Sequence, residues 1–288
     1  MSIMTGSDWG GSRLTCAQTC KKKYYWENLA PHPTLPGSGL IQLESKIAPS
    51  KGTLVHLGLQ HFYESKIRVP EMSHEERAVE AMHHAINAIG KFNLAEPMVP
   101  LLKDELIATF DQYFTKYELE DIIPIACEVP IDIRIGDLVH TGFIDLLGWW
   151  QDTLCVIDHK TTSMGMDFLF KKLRFDLSLK GYTHSARSNP LAKGQPVMAL
   201  INGIQFKKNK ALECVFQREL IMYSDSEMDE FEATVKAVRA EIDLCHATGF
   251  WPKSGAQCMQ VWGECDFRKL CMYDDPATVN SFYKPRRG

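Results

Sequence analysis

Two aspartates and a lysine interrupt the otherwise apolar stretch GFIDLLGWWQDTLCVIDHKTT. A tight turn at Gln151 and Asp152 would place Asp145 directly opposite Asp158 in a β-hairpin, because both aspartates are equally far from the turn. Asp158 and Lys160 are two positions apart, so they share one face of their strand. Directly opposed residues also share a face. The spacing therefore predicts two facing carboxylates with an ammonium group beside them.

Facing carboxylates repel each other, and in apolar surroundings one of them is driven to take up a proton. A divalent cation removes this repulsion, because it is a large local positive charge that prefers hard oxygen ligands. Lys160 would then lie within reach of any group that the ion holds. The alternatives are an exposed sheet face and a structural ion pair in which Lys160 bridges both carboxylates. The matched spacing favours the metal site.

The same residues resemble the core of the PD-(D/E)XK nuclease superfamily, in which a strand with G-x-x-D, a short hairpin and an apolar strand with D-x-K follow one another. GFIDLL and VIDHKTT are similar to its RecB-like branch in particular. The resemblance implies that Asp145 and Asp158 hold Mg²⁺ or Mn²⁺, which activates water and stabilises charge on the scissile phosphate. It also implies that Lys160 positions or deprotonates that water and stabilises the transition state.

Three further positions follow from this resemblance. KGTLVHLGLQHFY resembles the helix with a G-x-x-x-H-like motif and implies His56 as a metal ligand, a donor that suits Mn²⁺ at least as well as Mg²⁺; His61 matches less well. LSLKGYTHSAR resembles the Q-x-x-x-Y helix, which implies a role for Tyr182, although Ser178 replaces the usual Gln. Glu128 in CEVPI lies where some relatives carry another acidic residue, and both a structural and a functional interpretation of it stay open.

Four of the nine cysteines form a second candidate site. The series Cys258, Cys265 and Cys271 is a poor disulfide pattern for a cytosolic chain and indicates a metal site. Three thiolates leave one ligand missing, which Cys20 or its rival Cys16 can supply; the alternative is that the cysteines bind no metal. The arrangement resembles RecB-like exonucleases with an iron–sulfur cluster, among them CRISPR-associated and AddB-type nucleases. It implies a [4Fe–4S] cluster that joins the N- and C-terminal segments, with zinc as the alternative.

The elements that must position these residues follow from hydrophobic periodicity. Helical patterns occupy residues 12–25, 54–63, 73–89, 101–117, 175–187 and 225–247. Strand patterns occupy residues 122–135, 140–149, 153–157, 197–206 and 212–223. Ser73 with Glu76, and Ser224 with Glu227, form capping boxes at two of the helix starts. The order predicts an α/β protein with a mixed central sheet flanked by helices.

Length and composition predict one large domain. The chain has 288 residues, of which 45% are hydrophobic and 24% charged, as in ordinary globular proteins. We expect a single nuclease domain, residues 1–288, with the catalytic core in 50–223 and the cysteine-cluster region in 12–30 and 250–275. No apolar run reaches the ~18 residues of a membrane span, and the first residues lack an apolar leader. We expect a cytoplasmic protein of prokaryotic or phage origin.

The charge of the chain does not identify its binding partner. The net charge of −4 provides no global attraction for nucleic acid. Basic residues nevertheless cluster at four places: Lys21–Lys22–Lys23, Lys171–Lys172 with Arg174, Lys207–Lys208 with Lys210, and Lys284 with Arg286–Arg287. These clusters are either solvated faces or parts of a nucleic-acid groove, in which Tyr24, Tyr25 and Trp26 would stack on bases.

The resemblance implies hydrolysis of DNA phosphodiesters by an exonuclease that acts on single strands or ends. Phage replication, recombination, repair and CRISPR adaptation all use such enzymes, so a homo-oligomer or a recombination or repair protein is a further candidate partner. Two alternatives remain. One is a catalytically inactive DNA-binding or accessory subunit, against which the intact set of Asp145, Asp158 and Lys160 argues. The other is a hydrolase of another phosphate ester, for which no Gly-rich phosphate loop is present.

Overall fold

The computed structural model describes residues 10–286 except 45, 120, 193, 208, 210, 261, 262 and 274. The α-helices in this part of the chain are α1 (Gly11–Thr19), α2 (Lys21–Asn28), α3 (Ile47–Arg68), α4 (His74–Asn87), α5 (Met98–Lys116), α6 (Met166–Leu173), α7 (Leu177–Arg187), α8 (Asp225–Thr248), α9 (Arg268–Tyr273) and α10 (Pro276–Phe282). The strands are β1 (Leu40–Gln42), β2 (Ile122–Ile135), β3 (Leu138–Trp150), β4 (Thr153–Thr162), β5 (Val197–Phe206), β6 (Cys214–Ile221), β7 (Met259–Gln260), β8 (Gly263–Glu264) and β9 (Tyr283–Pro285). None of the helices in the described ranges is long and apolar enough to cross a membrane.

The chain divides into two compact units. The first unit comprises Met1–Glu44, Arg134–Thr141 and Asp229–Gly288. The second comprises Ser45–Ile133 and Gly142–Met228. The expected catalytic core, apart from residues 134–141, lies in the second unit, and the expected cysteine-cluster region lies in the first. That the whole chain is a single nuclease domain stays a prediction.

The second unit is built on a five-stranded sheet in the order β2-β3-β4-β5-β6. β4 runs antiparallel to β3 and parallel to β5, and β5 runs antiparallel to β6. Parallel neighbours need a long connection, and α6 with α7 supplies it between β4 and β5. The predicted α/β class with a mixed sheet flanked by helices is confirmed.

Apolar clusters cover both faces of this sheet. On one face, Cys155 and Ile157 of β4 pack with residues of α3, α4 and α5. On the other face, Leu154 and Val156 pack with Ala186 and Tyr182 of α7. The alternation along β4 is that of a strand buried on both sides, which explains why its sequence is continuously apolar.

The hairpin between β3 and β4 has the predicted register as far as Leu146 with Ile157, but the predicted pair of Asp145 with Asp158 is not part of the ladder. Gln151 and Asp152 have φ values of 47° and 62°, as the type I′ turns of two-residue hairpins require. The paired residues run from Trp150 with Thr153 to Leu146 with Ile157. The regular ladder thus ends at the pair that precedes the two aspartates.

Most predicted elements are present, and the differences have local causes. Ser73 and Ser224 both form capping boxes with the glutamates three residues later. The single helix predicted over 12–25 is two helices, because Cys20 is extended (φ −161°, ψ 110°) and its Sγ accepts a hydrogen bond from the Lys23 N–H. The sequence analysis missed α6, whose N-cap Gly165 makes no side-chain cap and so leaves no start signal.

In the first unit, the N- and C-terminal segments meet through direct contacts. β1 pairs antiparallel with β9, from Leu40 with Pro285 to Gln42 with Tyr283. The Tyr283 hydroxyl donates a 2.6 Å hydrogen bond to the Asp266 carbonyl. An apolar cluster fills the space beneath this pair: Trp26, Ala30, Leu40, Phe267, Leu270 and Tyr283. Polypeptide contacts therefore already join the two segments that a metal cluster was expected to join.

Candidate active site

The end of β4 places Asp158 and Lys160 in direct contact. The Lys160 ammonium donates a 2.7 Å hydrogen bond to Asp158 Oδ1 and lies 2.6 Å from Oδ2. Asp158 is 2% exposed, and its Oδ2 is buried with no hydrogen bond of its own among the described residues. Burial raises the pKa of Asp158; the Lys160 ammonium opposes this shift and the Asp145 carboxylate adds to it. The Lys160 ammonium thus contacts both oxygens of the buried Asp158 carboxylate and supplies the positive charge beside it.

The second carboxylate, Asp145, is held between a side chain of α3 and the backbone of β4. Its Oδ2 lies 3.3 Å from His56 Nδ1 and accepts a 2.9 Å hydrogen bond from the His159 N–H. Burial raises the pKa of Asp145, but the neighbouring His56 and Lys160 outweigh burial and hold it below its usual range. Burial lowers the pKa of His56, and the Asp145 carboxylate more than offsets this, so the net shift is upward. In the metal-free protein, these shifts favour a protonated His56 imidazolium beside an ionised Asp145 carboxylate.

A break in the alternation of β3 directs Asp145 toward α3. Residues two apart on a regular strand share a face, but Ile144 packs in the cluster with α7 while Leu146 packs in the cluster with α3, α4 and α5. Leu147 returns to the α7 side. Asp145 lies where the alternation of β3 is broken, between Ile144 and Leu146, and it contacts His56 of α3. Tyr182 of α7 lies near Asp158 and Lys160 instead.

Close packing of α3 on β4 positions His56. A Cβ atom at Gly52 would lie 2.9 Å from Thr161 Oγ1, so only glycine allows the helix this approach without rearrangement. His61, the rival histidine, contacts α4 instead: its Nε2 lies 3.5 Å from a Glu80 carboxylate oxygen, and its ring stacks on His84 at 4.7 Å. His56 is therefore the histidine of this helix that reaches the carboxylates.

Glu128 approaches the same carboxylate from β2. It has a φ of 49°, a left-handed conformation that is unusual for a non-glycine residue inside a strand. Such strain persists where the surrounding structure imposes it, often at functional sites. Burial raises the pKa of Glu128 to about 7, with Asp145 adding to the shift, His56 opposing it and Glu64 contributing further. The structure thus brings Glu128 into the electrostatic environment of Asp145 and His56.

Tyr182 lies beside the glycine of the G-x-x-D motif. A Cβ at Gly142 would come within 2.9 Å of the Tyr182 ring and 3.3 Å of Ile131. The motif glycine therefore leaves space for this aromatic ring. Burial raises the pKa of the Tyr182 hydroxyl, and the Asp158 carboxylate adds to the shift, so the hydroxyl keeps its proton near neutral pH.

The sequence analysis missed a buried polar network beneath the site. His159 Nδ1 lies 2.9 Å from the Asn202 side-chain amide, which also donates a 2.7 Å hydrogen bond to the Tyr113 hydroxyl. The Tyr63 ring stacks on His159 with a centroid separation of 5.7 Å. Burial lowers the pKa of His159 to about 3, so its imidazole is neutral. The available signal was Asn202 itself, a lone amide in the apolar run VMALINGIQF.

The four candidate cysteine ligands lie in the first unit and influence one another. Burial raises the pKa of Cys271, and the nearby Cys20 and Cys258 thiols add to the shift. Burial also raises the pKa of Cys265, where Cys271 is a further contributor. The rival Cys16 donates a 3.4 Å hydrogen bond to the Glu27 carboxylate. All nine cysteines are free thiols.

Within the described ranges, no three side chains of His, Cys, Asp or Glu form a group spaced to hold a metal ion. Both donor sets nevertheless fit the chemistry that was expected. Carboxylate oxygens with one imidazole suit Mg²⁺ or Mn²⁺, and Asp145, Asp158 and His56 supply that donor set. Four thiolates suit an iron–sulfur cluster or zinc by their chemistry.

Within the described residues, each basic cluster has a member that forms an ion pair. Lys21 lies 2.6 Å from Glu241, Arg174 lies 2.6 Å from Glu227, and Arg286 pairs with Glu27. Lys208, Lys210 and Arg287 lie outside the described residues.

The expected stacking of Tyr24 and Trp26 on nucleic-acid bases is wrong. Both side chains are buried in the first unit, where they are 1% and 7% exposed, so a strand cannot reach their rings. The half-buried Tyr25 ring packs against Trp251 at 5.4 Å.

Known proteins of one family, and solved structures, are similar to this chain. A family model described as "PD-(D/E)XK nuclease superfamily" matches residues 9–272. The crystal structure of a "putative exonuclease" from Eubacterium rectale is similar, with 13% sequence identity and a TM-score of 0.48 over 86% of this chain and 85% of that one. No curated protein matches the chain.

Proposed function

The chain belongs to the PD-(D/E)XK nuclease superfamily, and we propose that it is a metal-dependent DNA exonuclease that hydrolyses phosphodiester bonds on single strands or at DNA ends. The observation that carries the proposal is the contact network of His56, Asp145, Asp158 and Lys160 where β3 and β4 leave their ladder. A buried and a half-buried carboxylate beside a lysine make a poor structural core, but they match the needs of metal-assisted hydrolysis.

We assign the metal to Asp145, Asp158 and His56, with Glu128 as a further ligand. A Mg²⁺ or Mn²⁺ ion bound there supplies the positive charge that polarises the phosphate and lowers the pKa of the attacking water. Asp158 offers its buried Oδ2, which lies 2.6 Å from the Lys160 ammonium in the metal-free protein. Glu128 and His56 must each give up a proton to become ligands, because only their deprotonated forms have a lone pair to donate.

Lys160 acts as a cation in this proposal. Burial lowers its pKa, but the Asp158 and Asp145 carboxylates more than offset burial and raise it above the usual range. A charged ammonium donates hydrogen bonds to the attacking water or to a phosphate oxygen, and it stabilises the negative charge that develops in the transition state. The protonated Tyr182 hydroxyl, near Asp158 and Lys160, provides a second donor for the phosphate.

We also propose that Cys20, Cys258, Cys265 and Cys271 hold a [4Fe–4S] cluster of the RecB-like type. The placement of all four cysteines in the first unit supports this assignment. A cluster at this place would add a constraint between distant parts of the chain and would thereby stabilise the first unit.

The first test compares wild-type protein, Lys160→Ala and the control Lys91→Ala, whose side chain is exposed on the surface. Anaerobically purified proteins are incubated with end-labelled single- and double-stranded DNA and with labelled RNA, in Mg²⁺ or Mn²⁺. We expect metal-dependent cleavage by the wild type and by Lys91→Ala, and a loss of roughly 100-fold or more in Lys160→Ala. Cleavage that Lys160→Ala retains would refute the assigned site.

A circular single strand separates the two modes of cleavage. An exonuclease needs an end, so we expect linear DNA to be shortened stepwise and the circle to stay intact. Cutting of the circle would assign endonuclease activity instead. Binding of DNA without cleavage in either metal would support the alternative, a catalytically inactive DNA-binding or accessory subunit.

A further inference from the structure

A groove runs between α4 and α5 on the second unit, distinct from the site around Asp145. Its volume is about 710 Å³. Apolar side chains line it: Ala78, Val79, Met82, Ile107, Ala108, Phe110 and Phe114. Val79 is 47% exposed and Ile107 is 38% exposed, so part of this apolar surface faces solvent. An exposed apolar surface with a polar rim is more typical of an interaction site than of the ordinary surface of a monomeric protein.

The rim of the groove is acidic and carries no lysine or arginine. Its carboxylates are all exposed: Glu75, Asp104, Asp111 and Glu118. No ion pair involves any of the four among the described residues, although Glu105 of the same helix pairs with Lys51 at 2.9 Å. Uncompensated negative charge around an apolar floor repels nucleic acid and attracts a cationic partner.

The spacing of the acidic residues indicates the shape of that partner. Asp104, Asp111 and Glu118 are seven residues apart, so they follow one face of α5 and the turn after it. At 1.5 Å per residue, Asp104 and Asp111 are about 10 Å apart along α5, and Glu118 continues the row in the turn that follows. Lysines or arginines that flank an apolar stripe at the same seven-residue interval would meet this row, as charges at the edges of a helix–helix seam do.

We propose that the groove between α4 and α5 binds a basic amphipathic helix of a partner protein. The apolar stripe of that helix would cover Val79, Met82 and Ile107, and its flanking cations would pair with the acidic rim. Helix-in-groove binding uses this combination of spaced apolar anchors and a polar edge. The site is independent of the proposed nuclease chemistry, because none of its residues belongs to the catalytic network.

The test uses synthetic peptides and the full chain. The probe is an 18-residue peptide with leucine at positions a and d and lysine at e and g of each heptad. A scrambled peptide of the same composition has the same charge without the apolar stripe. Fluorescence anisotropy of labelled peptides, at low and at physiological salt, measures binding to wild type, to Asp111→Asn/Glu118→Gln and to the matched control Asp229→Asn/Glu230→Gln, which removes two exposed charges from α8.

We expect the amphipathic peptide to bind wild type at least ~10-fold more tightly than the scrambled peptide, since only the amphipathic peptide presents an apolar stripe to the apolar floor of the groove. The rim variant should weaken this binding by ~3- to 10-fold, and the α8 control by less than twofold. All three proteins should cleave DNA equally. If both peptides bind equally, or if the two double variants have equal effects, net charge alone explains the attraction and the proposal is overturned.

A charged substitution in the apolar floor tests whether a second copy of the chain occupies the groove instead. Ile107→Asp should abolish peptide binding while circular dichroism and DNA cleavage stay unchanged. Concentration-dependent self-association of the wild type, absent in Ile107→Asp and accompanied by no peptide binding, would assign the groove to a second copy of the chain and overturn the partner helix.

Discussion

His56 Nδ1 lies 3.3 Å from Asp145 Oδ2, and the same oxygen accepts a hydrogen bond from the backbone N–H of His159. One carboxylate oxygen thus connects α3, the irregular step of β3 and the end of β4. The backbone bond fixes the carboxylate independently of the histidine, so His56 is free to exchange a proton for a metal ion without loss of the Asp145 orientation.

Replacement of His56 by alanine should weaken Mn²⁺ binding while the fold stays intact. A lost imidazole removes one of the assigned metal ligands, so we expect the Mn²⁺ affinity to fall by ~10- to 100-fold. Electron paramagnetic resonance of free Mn²⁺ measures the affinity directly. The control is His61→Ala, whose imidazole contacts Glu80 and His84. Equal affinities in the two variants would remove His56 from the metal site.

Glu128 should make the metal-free protein less stable as the pH rises. Its pKa is about 7 in the folded protein against a usual 4.5, so the folded state binds the extra proton between these values. Stability then falls as pH rises through this window. Glu128→Gln removes the effect, and we expect its melting temperature to exceed that of wild type at pH 8, by roughly 2–4 °C, but not at pH 4.

The control for this comparison is Asp132→Asn, an exposed acid on the same strand. It should give the same difference from wild type at both pH values. A pH-independent effect of Glu128→Gln would show that Glu128 does not share the environment of Asp145.

Gly142→Ala should displace Tyr182 and destabilise the second unit. The added Cβ would lie 2.9 Å from the Tyr182 ring, and overpacking of this kind costs ~1–3 kcal/mol. Thermal denaturation measures the loss. A double-mutant cycle with Tyr182→Ala should show coupling between the two sites. Gly165→Ala, where a Cβ meets nothing within 4 Å, is the matched control; additive effects at 142 and 182 would contradict the predicted contact.

Cys20→Ser should remove the proposed cluster, and Cys16→Ser should not. After anaerobic purification we expect iron and sulfide in equal amounts in wild type and Cys16→Ser, and neither in Cys20→Ser, because serine is a poor ligand for iron–sulfur clusters. Chemical analysis of iron, sulfide and zinc decides the outcome. Zinc without sulfide in the wild type would replace the cluster by a zinc site, and no metal at all would refute both.

Sequence reasoning succeeded where the signal is local. Strand 122–135 and strand 197–206 coincide with β2 and β5, because period-two patterns and turn residues specify them without reference to the rest of the chain. It failed at Cys20, where a side-chain cap divides a helical pattern, and at α6, which begins on a glycine without a cap.

The sequence by itself determined the hairpin register from Leu146 with Ile157 to Trp150 with Thr153, because turn type and alternation are properties of neighbouring residues. Tertiary structure alone decided that Asp145 meets His56 and that His159 joins Asn202. Periodicity states which residues share a face, but not which helix covers that face or where a strand departs from alternation. The site depends on both, since its donors come from separate elements that only packing brings together.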